Sequence, residues 1–245
     1  MRILTIIGAR PQFIKASVVS KAIVNFNSKN NNEQIQEIVL HTGQHFDKNM
    51  SEVFFDELHL PIPKYNLEIS SLTHGAMTGR MIEKIEEVLV EEKPDVVLLY
   101  GDTNSTLAGA IAAIKLNIAI AHIEAGLRSN NMNMPEESNR ILVDRVSKHL
   151  YCPTVTAVNN LQSEGITEGV YNIGDVMYDA ALLFAEQAKK SLSYNVWDLE
   201  EKNYVLLTVH RENNTNSYKH LQDILLAIKE ISNKTQVVFP CHPIT

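Results

Sequence analysis

The stretch VVLLYGDTNSTLAGAIAAIKLNIAIAHIEAGLRSNNMNMPEESNRILVDRVSKHLYCP, residues 96–153, decides the fold of this 245-residue chain. Its apolar runs VVLLY and AIAHI are too short for helices and contain β-branched residues, which predicts two buried parallel strands. Polar turns follow both strands, with Asp102 in the first turn and Glu124 and Arg128 in the second. Because ligands of doubly wound α/β domains bind beyond the carboxyl ends of the strands, we expect these side chains to face one crevice.

The same alternation of strands and helices extends outward over the rest of the chain. Apolar runs predict strands at residues 3–7, 37–41, 95–100, 119–123, 150–153, 170–173, 204–209 and 236–239, with helices at 11–26, 50–58, 79–93, 106–115, 136–150, 157–164, 177–190 and 221–231. Residues 27–33 are polar and predict a solvated loop. This order is typical of right-handed βαβ units with a parallel sheet.

The strand and helix pattern restarts near Asp175, which predicts two domains. Residues 1–175 form the amino-terminal domain with the candidate acids, and residues 176–245 form a partial carboxyl-terminal domain. Two βα units cannot bury both faces of a sheet, so we expect the second domain to be truncated.

Composition restricts the class of protein. The net charge of −7 argues against nucleic acid or an anionic membrane as the main partner. Because the first residues hold too few apolar side chains for a signal peptide and no run approaches a membrane span, we expect a soluble, cytoplasmic protein. Cys152 and Cys241 lack metal-type spacing and the surroundings of a nucleophile, which favours reduced, buried thiols.

Two segments carry candidate anion or ligand contacts. Arg10 precedes a predicted helix start and Lys15 lies about one turn into that helix, which indicates an anion site. The alternative is a surface arginine with a solvated lysine. Gln44 and His45 follow the second strand, where ligand contact and hydrogen bonding within the loop are equally consistent with the pattern.

Each candidate carboxylate also has a structural interpretation. Asp102 lies where a helix N-cap is expected, and Glu136 with Glu137 suits the first turn of the next helix. Glu124 ends an apolar strand, where an uncompensated carboxylate would be costly. Its structural partner would be Arg128.

The remaining polar motifs point to no metal and no dinucleotide. His122 and Glu124 share one strand face, but a third ligand with suitable spacing is missing, so we expect no metal site. The loop after the first strand is not GxGxxG, and the chain has no GxSxG motif. His210 and Arg211 after the strand at 204–209 form either a second anion site or a capped βα loop.

Seven segments together resemble the non-hydrolysing UDP-N-acetylglucosamine 2-epimerase family. They are GARPQFIK (8–15), HTGQH (41–45), YGDTNSTLA (100–108), HIEAGLRS (122–129), MPEESNR (134–140), NIGDVMYDA (172–180) and TVHRENN (208–214). The resemblance implies an α/β fold of two Rossmann-like domains, arranged as in GT-B glycosyltransferases, with the second domain truncated here.

The resemblance also implies the roles of individual side chains. The catalytic residues would be Asp102, Glu124, Glu136 and His210, and the substrate would be bound by Arg10, Lys15, Gln44, His45, Arg128, Arg211 and Glu212. The partner would be a UDP-sugar, without metal or cofactor and without nucleic acid or membrane. We further expect a homodimer.

The implied reaction inverts C2 of UDP-N-acetylglucosamine to give UDP-N-acetylmannosamine, through loss and re-addition of UDP with a 2-acetamidoglucal between. One alternative is a C2 epimerase of a modified UDP-2-acetamido sugar, such as a diacetamido uronate or a 6-deoxy sugar, because the loop SNNMNM (129–134) resembles that of relatives acting on such sugars. Others are a GT-B glycosyltransferase and an inactive, truncated nucleotide-sugar-binding domain.

Overall fold

The computed structural model describes residues 1–30, 32–44, 58, 60–191, 197–200, 202–209, 212–215 and 217–240. The chain divides into two compact units, residues 1–185 and 186–245. The strands are β1 (Arg2–Ile7), β2 (Gln36–His41), β3 (Tyr65–Asn66), β4 (Val96–Tyr100), β5 (Ala119–Ile123), β6 (His149–Cys152), β7 (Val170–Asn172), β8 (Tyr204–Leu206) and β9 (Gln236–Val238). The helices are α1 (Arg10–Lys29), α2 (His74–Glu92), α3 (Asn104–Lys115), α4 (Pro135–Val146), α5 (Val155–Ser163), α6 (Val176–Ser191), α7 (Glu212–Thr215) and α8 (Tyr218–Ser232).

The sheet of the first unit is parallel throughout its described strands. Its order is β3-β2-β1-β4-β5-β6-β7. The sequence order of the strands reverses between β1 and β4, as in the doubly wound nucleotide-binding folds. The helices that follow these two neighbouring strands therefore lie on opposite faces of the sheet. In folds of this class, ligands bind at the carboxyl ends of the strands on either side of such a reversal, which here are β1 and β4.

Both faces of the sheet are covered, which explains the nearly continuous apolar runs of the strands. Successive strand residues alternate between faces, so Leu4 and Ile6 of β1 pack in the cluster that includes α2, α3 and α4. Ile3 and Ile7 pack in the opposite cluster, which includes Phe13 of α1. The first unit is therefore a three-layer structure with two separate apolar interfaces.

Several predicted elements differ from the observed ones. The predicted loop at 27–33 is wrong at its start, because α1 continues to Lys29 and the Asn27 amide exchanges two 2.8 Å hydrogen bonds with the backbone of Ile35. The helix predicted to reach Leu150 ends at Val146, since residues from His149 onward pair with β5 as strand β6. β3 is too short for its pattern to be recognised, and most of the helix predicted at 50–58 lies outside the described residues.

The second unit contains a single described parallel strand pair. β8 and β9 are joined through α7 and α8. The strand predicted at 204–209 ends earlier, at Leu206, although Leu207 still donates a 2.9 Å backbone hydrogen bond to Val238. The unit is thus one βαβ element, as the sequence pattern predicts for this region.

Two helical glycines provide a matched test of the packing of the first unit. A Cβ added to Gly109 of α3 would lie 2.7 Å from Leu99 Cδ2 and 2.9 Å from Ile6 Cδ1, whereas one added to Gly79 of α2 would meet nothing within 4 Å. We expect Gly109→Ala to lower the free energy of unfolding by about 1–3 kcal/mol through overpacking. Gly79→Ala should raise it by up to about 1 kcal/mol through helix propensity. Urea unfolding measures both, and stabilisation by both substitutions would contradict the close approach of α3 to the sheet.

Candidate active site

Four turns meet at the carboxyl edge of the first unit's sheet. They follow β1 at residues 8–10, β2 at 42–44, β4 at 101–103 and β5 at 124–126. Because the four strands are parallel and adjacent, all of these turns lie at the same edge. Helix α4 is hydrogen-bonded to the turn after β4 at the same edge.

The side chain of Gln12 links the turn after β1 to the end of β4, the two strands between which the strand order reverses. Its side-chain carbonyl accepts hydrogen bonds from the backbone N–H groups of Gly8 at 2.8 Å and Ala9 at 3.0 Å. Its amide nitrogen donates to the carbonyl oxygen of Tyr100 at 2.8 Å, across the crevice between β1 and β4. The side chain is buried, so one amide fixes both turns against each other. This role was not predicted from the sequence, although glutamine at the third position of a helix is a known capping signal.

A second buried contact holds the β2 turn against α3. The Thr42 and Ser105 hydroxyls lie 2.8 Å apart, and the Gln44 carbonyl accepts from the Ser105 hydroxyl at 2.7 Å. A Cβ at Gly8 would lie 2.1 Å from Thr42 Oγ1, so this contact requires glycine there. Gln44, predicted to contact substrate, is thus placed at the edge with its carbonyl oxygen already engaged.

Glu124 forms an ion pair with Lys15, which reaches it from the second turn of α1. The alternative partner considered from the sequence, Arg128, is wrong. Both side chains of the pair are largely shielded, with 13% and 11% of their surfaces exposed. Glu124 has φ of +71°, a left-handed backbone that is uncommon for a residue with a side chain and is frequent at functional sites. A Cβ at Gly101 would lie 3.1 Å from Glu124 Oε2, which places this carboxylate beside the turn of Asp102.

Asp102 is bound by Arg140 of α4. The guanidinium approaches Asp102 Oδ2 through Nε at 2.8 Å and Nη2 at 2.7 Å, while the Asn139 amide donates to the Asp102 carbonyl oxygen at 2.8 Å. The N-cap of α3 is Thr103, whose hydroxyl accepts from the Thr106 N–H at 3.3 Å. The capping interpretation of Asp102 is therefore wrong, and its carboxylate faces α4 instead.

The two adjacent glutamates of α4 have opposite environments. Glu137 is buried and accepts hydrogen bonds from the Ser129 and Asn130 backbone and from Arg140 Nη1 at 2.5 Å. Burial by itself would raise the pKa of Glu137, but these hydrogen bonds lower it to about 2. Glu136 is partly exposed, and no ion pair or side-chain hydrogen bond to its carboxylate occurs among the described residues. Of the two, Glu136 is the one available to a ligand.

Arg128 is held by carboxylates that the sequence analysis did not consider. Its guanidinium pairs with Asp144 through Nη1 at 2.7 Å and with Glu164 through Nε at 2.7 Å and Nη2 at 2.8 Å. Only 5% of its side chain is exposed. The predicted substrate contact of Arg128 would therefore have to compete with two ion pairs.

The other predicted site residues differ in how far the structure describes them. Arg10 begins α1 at the edge and is partly buried. His45, His210 and Arg211 lie outside the described residues, as does the side chain of Glu212, whose backbone begins α7.

The structure describes the surroundings of His122 and Cys152. In the described part of the chain, no cluster of three or more His, Cys, Asp and Glu side chains could hold a metal ion. His122 is engaged through both ring nitrogens, by Asp144 and by the Gly101 carbonyl oxygen. Cys152 is a free, buried thiol whose pKa burial raises to about 11, while Cys241 is not described.

Arg140, Asp144 and Gln12 are the contributors that sequence reasoning missed. Arg140 lies three residues after Glu137, so the helical period alone predicts that it returns to the same face. Asp144 gave no comparable signal, since its partners come from distant strands and turns.

A protein-family model matches most of the chain. The model of UDP-N-acetylglucosamine 2-epimerase matches residues 27–245. The chain belongs to the UDP-N-acetylglucosamine 2-epimerase family. The family predicted from the seven segments is thereby confirmed.

Two curated members of this epimerase family align with the whole chain. The chain is 55% identical to the UDP-2,3-diacetamido-2,3-dideoxy-D-glucuronate 2-epimerase of Pseudomonas aeruginosa, over 100% of this chain and 68% of that protein. It is 51% identical to a UDP-N-acetylglucosamine 2-epimerase homolog of Methanococcus maripaludis, over 100% of this chain and 66% of that protein. The chain thus spans about two thirds of the length of these relatives.

A solved epimerase structure has the same fold. The Methanocaldococcus jannaschii UDP-GlcNAc 2-epimerase in complex with UDP-GlcNAc and UDP matches with a TM-score of 0.86 and 43% identity, over 100% of this chain and 67% of that one. This similarity confirms the predicted α/β, GT-B-like fold class. No helix in the described ranges has the length and apolar character needed to cross a membrane.

Glu136 and Glu137 allow a matched test of their different environments. Glu137→Gln should lower the free energy of unfolding at pH 7 by about 1–3 kcal/mol, because it disrupts a buried, hydrogen-bonded carboxylate. Glu136→Gln should change it by less than about 0.5 kcal/mol, as for other sites without such contacts.

The pH dependence of unfolding separates the two variants further. Since folding lowers the pKa of Glu137 from 4.5 to about 2, its contribution is complete above 4.5 and is lost as the pH falls towards 2. Urea unfolding between pH 7 and pH 2.5 should show a shallower acid decline in Glu137→Gln than in the wild type. An unchanged decline would contradict the assigned pKa.

Proposed function

We propose that this chain carries the catalytic acids of a C2 epimerase of UDP-2-acetamido sugars, with UDP-N-acetylglucosamine as the first substrate and UDP-N-acetylmannosamine as its product. The observation that carries the proposal is that Asp102 and Glu124 lie in the adjacent turns after β4 and β5, with Glu136 in the first turn of the helix whose Arg140 binds Asp102. Asp102 is paired with Arg140, and Glu124 is paired with Lys15. Family membership supports the same reaction class.

The chemistry explains why several acids are needed. C2 of an N-acetylhexosamine is not adjacent to a carbonyl group, so direct removal of its proton would be very slow. When the C1–O bond breaks, positive charge develops at C1 and the C2 proton becomes acidic. A base takes that proton, the C1–O electron pair leaves with UDP, and a C1=C2 double bond forms in 2-acetamidoglucal.

The reverse addition inverts the centre. A proton returns to the opposite face of C2, and the UDP oxygen bonds to C1 again. A carboxylate near C1 stabilises the oxocarbenium-like charge, while others move the C2 proton. Asp102, Glu124 and Glu136 are proposed for these three tasks.

The departing diphosphate needs positive groups near the same edge. Arg10 lies at the amino terminus of α1, a 20-residue helix whose dipole favours anions at that end. Lys15 is one and a half turns further along the same helix. We assign these two cations to the diphosphate, where they would stabilise the charge that develops as the bond breaks.

A second candidate substrate is the corresponding UDP-2,3-diacetamido-glucuronate. This chain is 55% identical to the Pseudomonas aeruginosa relative named for that sugar, over 68% of that protein. The side chains assigned above would act at C1, C2 and the diphosphate. These parts are the same in the two substrates. The substituents at C3 and C6 therefore have to be tested directly.

The experiment follows deuterium at C2. The 245-residue chain, and the same chain joined to the carboxyl-terminal third of the Methanococcus maripaludis relative, are incubated in D₂O with each UDP-sugar and monitored by proton NMR. We expect loss of the H2 signal and appearance of the C2 epimer with at least one of the two sugars. Absence of exchange with both sugars in both proteins would overturn the proposal. A glycosyltransferase would instead require an acceptor and leave H2 in place.

Carboxamide variants test the three acids. Asp102→Asn, Glu124→Gln and Glu136→Gln should each lower kcat by about 10²–10⁴-fold, as expected for loss of a group that transfers protons or stabilises charge. Glu136→Gln is the sharpest of them, because it should leave the unfolding free energy unchanged. Wild-type rates of exchange in all three variants would reject the assignment.

A further inference from the structure

His122 connects the β4 turn to a buried carboxylate. It lies in β5, its side chain is fully buried, and its Nε2 donates to the Gly101 carbonyl oxygen at 2.7 Å. Its Nδ1 lies 2.7 Å from Asp144 Oδ1. Gly101 directly precedes Asp102, so this hydrogen bond from the imidazole restrains the backbone next to that acid.

Asp144 holds the β5 turn with its other oxygen. Oδ2 accepts from the Gly126 N–H at 3.0 Å and from Arg128 Nη1 at 2.7 Å. Gly126 lies two residues after Glu124, so the turn that carries this second acid is fixed by the same carboxylate. Glu164 holds the far side of the Arg128 guanidinium. One side chain of α4 therefore restrains both turns.

Both turns contain left-handed backbone. Gly101, Glu124 and Gly126 all have positive φ angles, of +63°, +71° and +79°. Glycine adopts such angles freely, whereas a residue with a side chain, such as Glu124, keeps one only where the surrounding structure determines it strongly. The hydrogen bonds from His122 and Asp144 act on the carbonyl or N–H groups of these same turns.

The ionic character of the cluster also favours positioning over stability. Burial by itself would raise the pKa of Asp144, yet the hydrogen bonds and charges of His122 and Arg128 bring it below its ordinary value. Buried ion pairs often contribute little net stability relative to apolar replacements, because the desolvation penalty offsets the attraction. A cluster that fixes two turns is suited to maintaining the geometry of a site.

We propose that His122 and Asp144 are positioning residues for the C2 epimerisation proposed above, holding the turns of Asp102 and Glu124 at a fixed separation. This inference rests on that proposed function. Neither side chain needs to touch the substrate. Displacement of catalytic groups by about 1 Å can cost on the order of 10²-fold in rate, so the expected effect is on kcat rather than on binding.

Two substitutions at His122 separate its two hydrogen bonds. The amide nitrogen of glutamine can occupy the place of Nε2 and keep the bond to Gly101, whereas that of asparagine can occupy the place of Nδ1 and keep only the bond to Asp144. We expect kcat to be at least about 10-fold lower in His122→Asn than in His122→Gln, with KM within about threefold in both. Equal kcat values in the two variants would contradict the role assigned to the Gly101 contact.

Asp144→Asn has a matched control in Glu92→Gln. Glu92 is also a buried, paired carboxylate, but it binds Arg2 and Lys64 at the start of β1 and before β3, away from the carboxyl edge. We expect both substitutions to destabilise the fold, with kcat lowered about 10²-fold for Asp144→Asn and by less than twofold for Glu92→Gln. If kcat fell in proportion to the loss of stability in both variants alike, the inference would be overturned.

Amide hydrogen exchange gives a readout that is independent of turnover. In His122→Asn, the N–H groups of residues 101–103 should exchange faster than in the wild type. In Asp144→Asn, those of residues 124–126 should exchange faster as well. In Glu92→Gln and His122→Gln, the N–H groups of both turns should exchange at the wild-type rate. Unchanged exchange in every variant would refute the positioning role. If the wild type processes no UDP-sugar, the proposed reaction fails, and this measurement still decides whether the cluster fixes the two turns.

Discussion

The parallel direction of the seven strands in the first unit is the constraint on which the rest of the structure depends. Every strand delivers its carboxyl end to one edge, so residues far apart in sequence arrive there together. The reversal of strand order between β1 and β4 then opens the crevice between their turns. Gln12 spans this opening, and its buried amide bonds to the backbone on both sides. The position of the acids follows from this framework.

The carboxylates at this edge differ in the groups that bind them. Glu124 is paired with Lys15 and Asp102 with Arg140, while Glu137 is buried among donors. Helix α4 supplies most of these contacts from one short segment. Consecutive residues of a helix point in directions about 100° apart, so one glutamate of the adjacent pair faces the donors of the preceding loop and the other does not. A single helical turn thereby provides both a structural anchor and an accessible acid.

Much of the first unit could be predicted from sequence, because its signals are local. The runs before Gly101 and Glu124 are short and apolar, and the polar residues after them mark the strand ends. Helix α2 was located by its apolar spacing and helix α3 by its alanine-rich sequence. Boundaries were less accurate where tertiary contacts intervene, as at Asn27, which bonds to Ile35, and at His149, which pairs with β5. A pattern of side chains along one segment contains no information about such partners.

The sequence by itself determined the α/β class, the edge at which the polar turns lie, and the family to which the chain belongs. Only the tertiary structure decided which charges are paired. Arg128 follows Glu124 by four residues and was the obvious local partner, yet it binds Asp144 and Glu164, and Lys15 reaches Glu124 from another helix. The physical reason is that ion pairing depends on distances of a few ångströms between atoms, and these are set by how helices pack on the sheet. Residue spacing along the chain does not specify them.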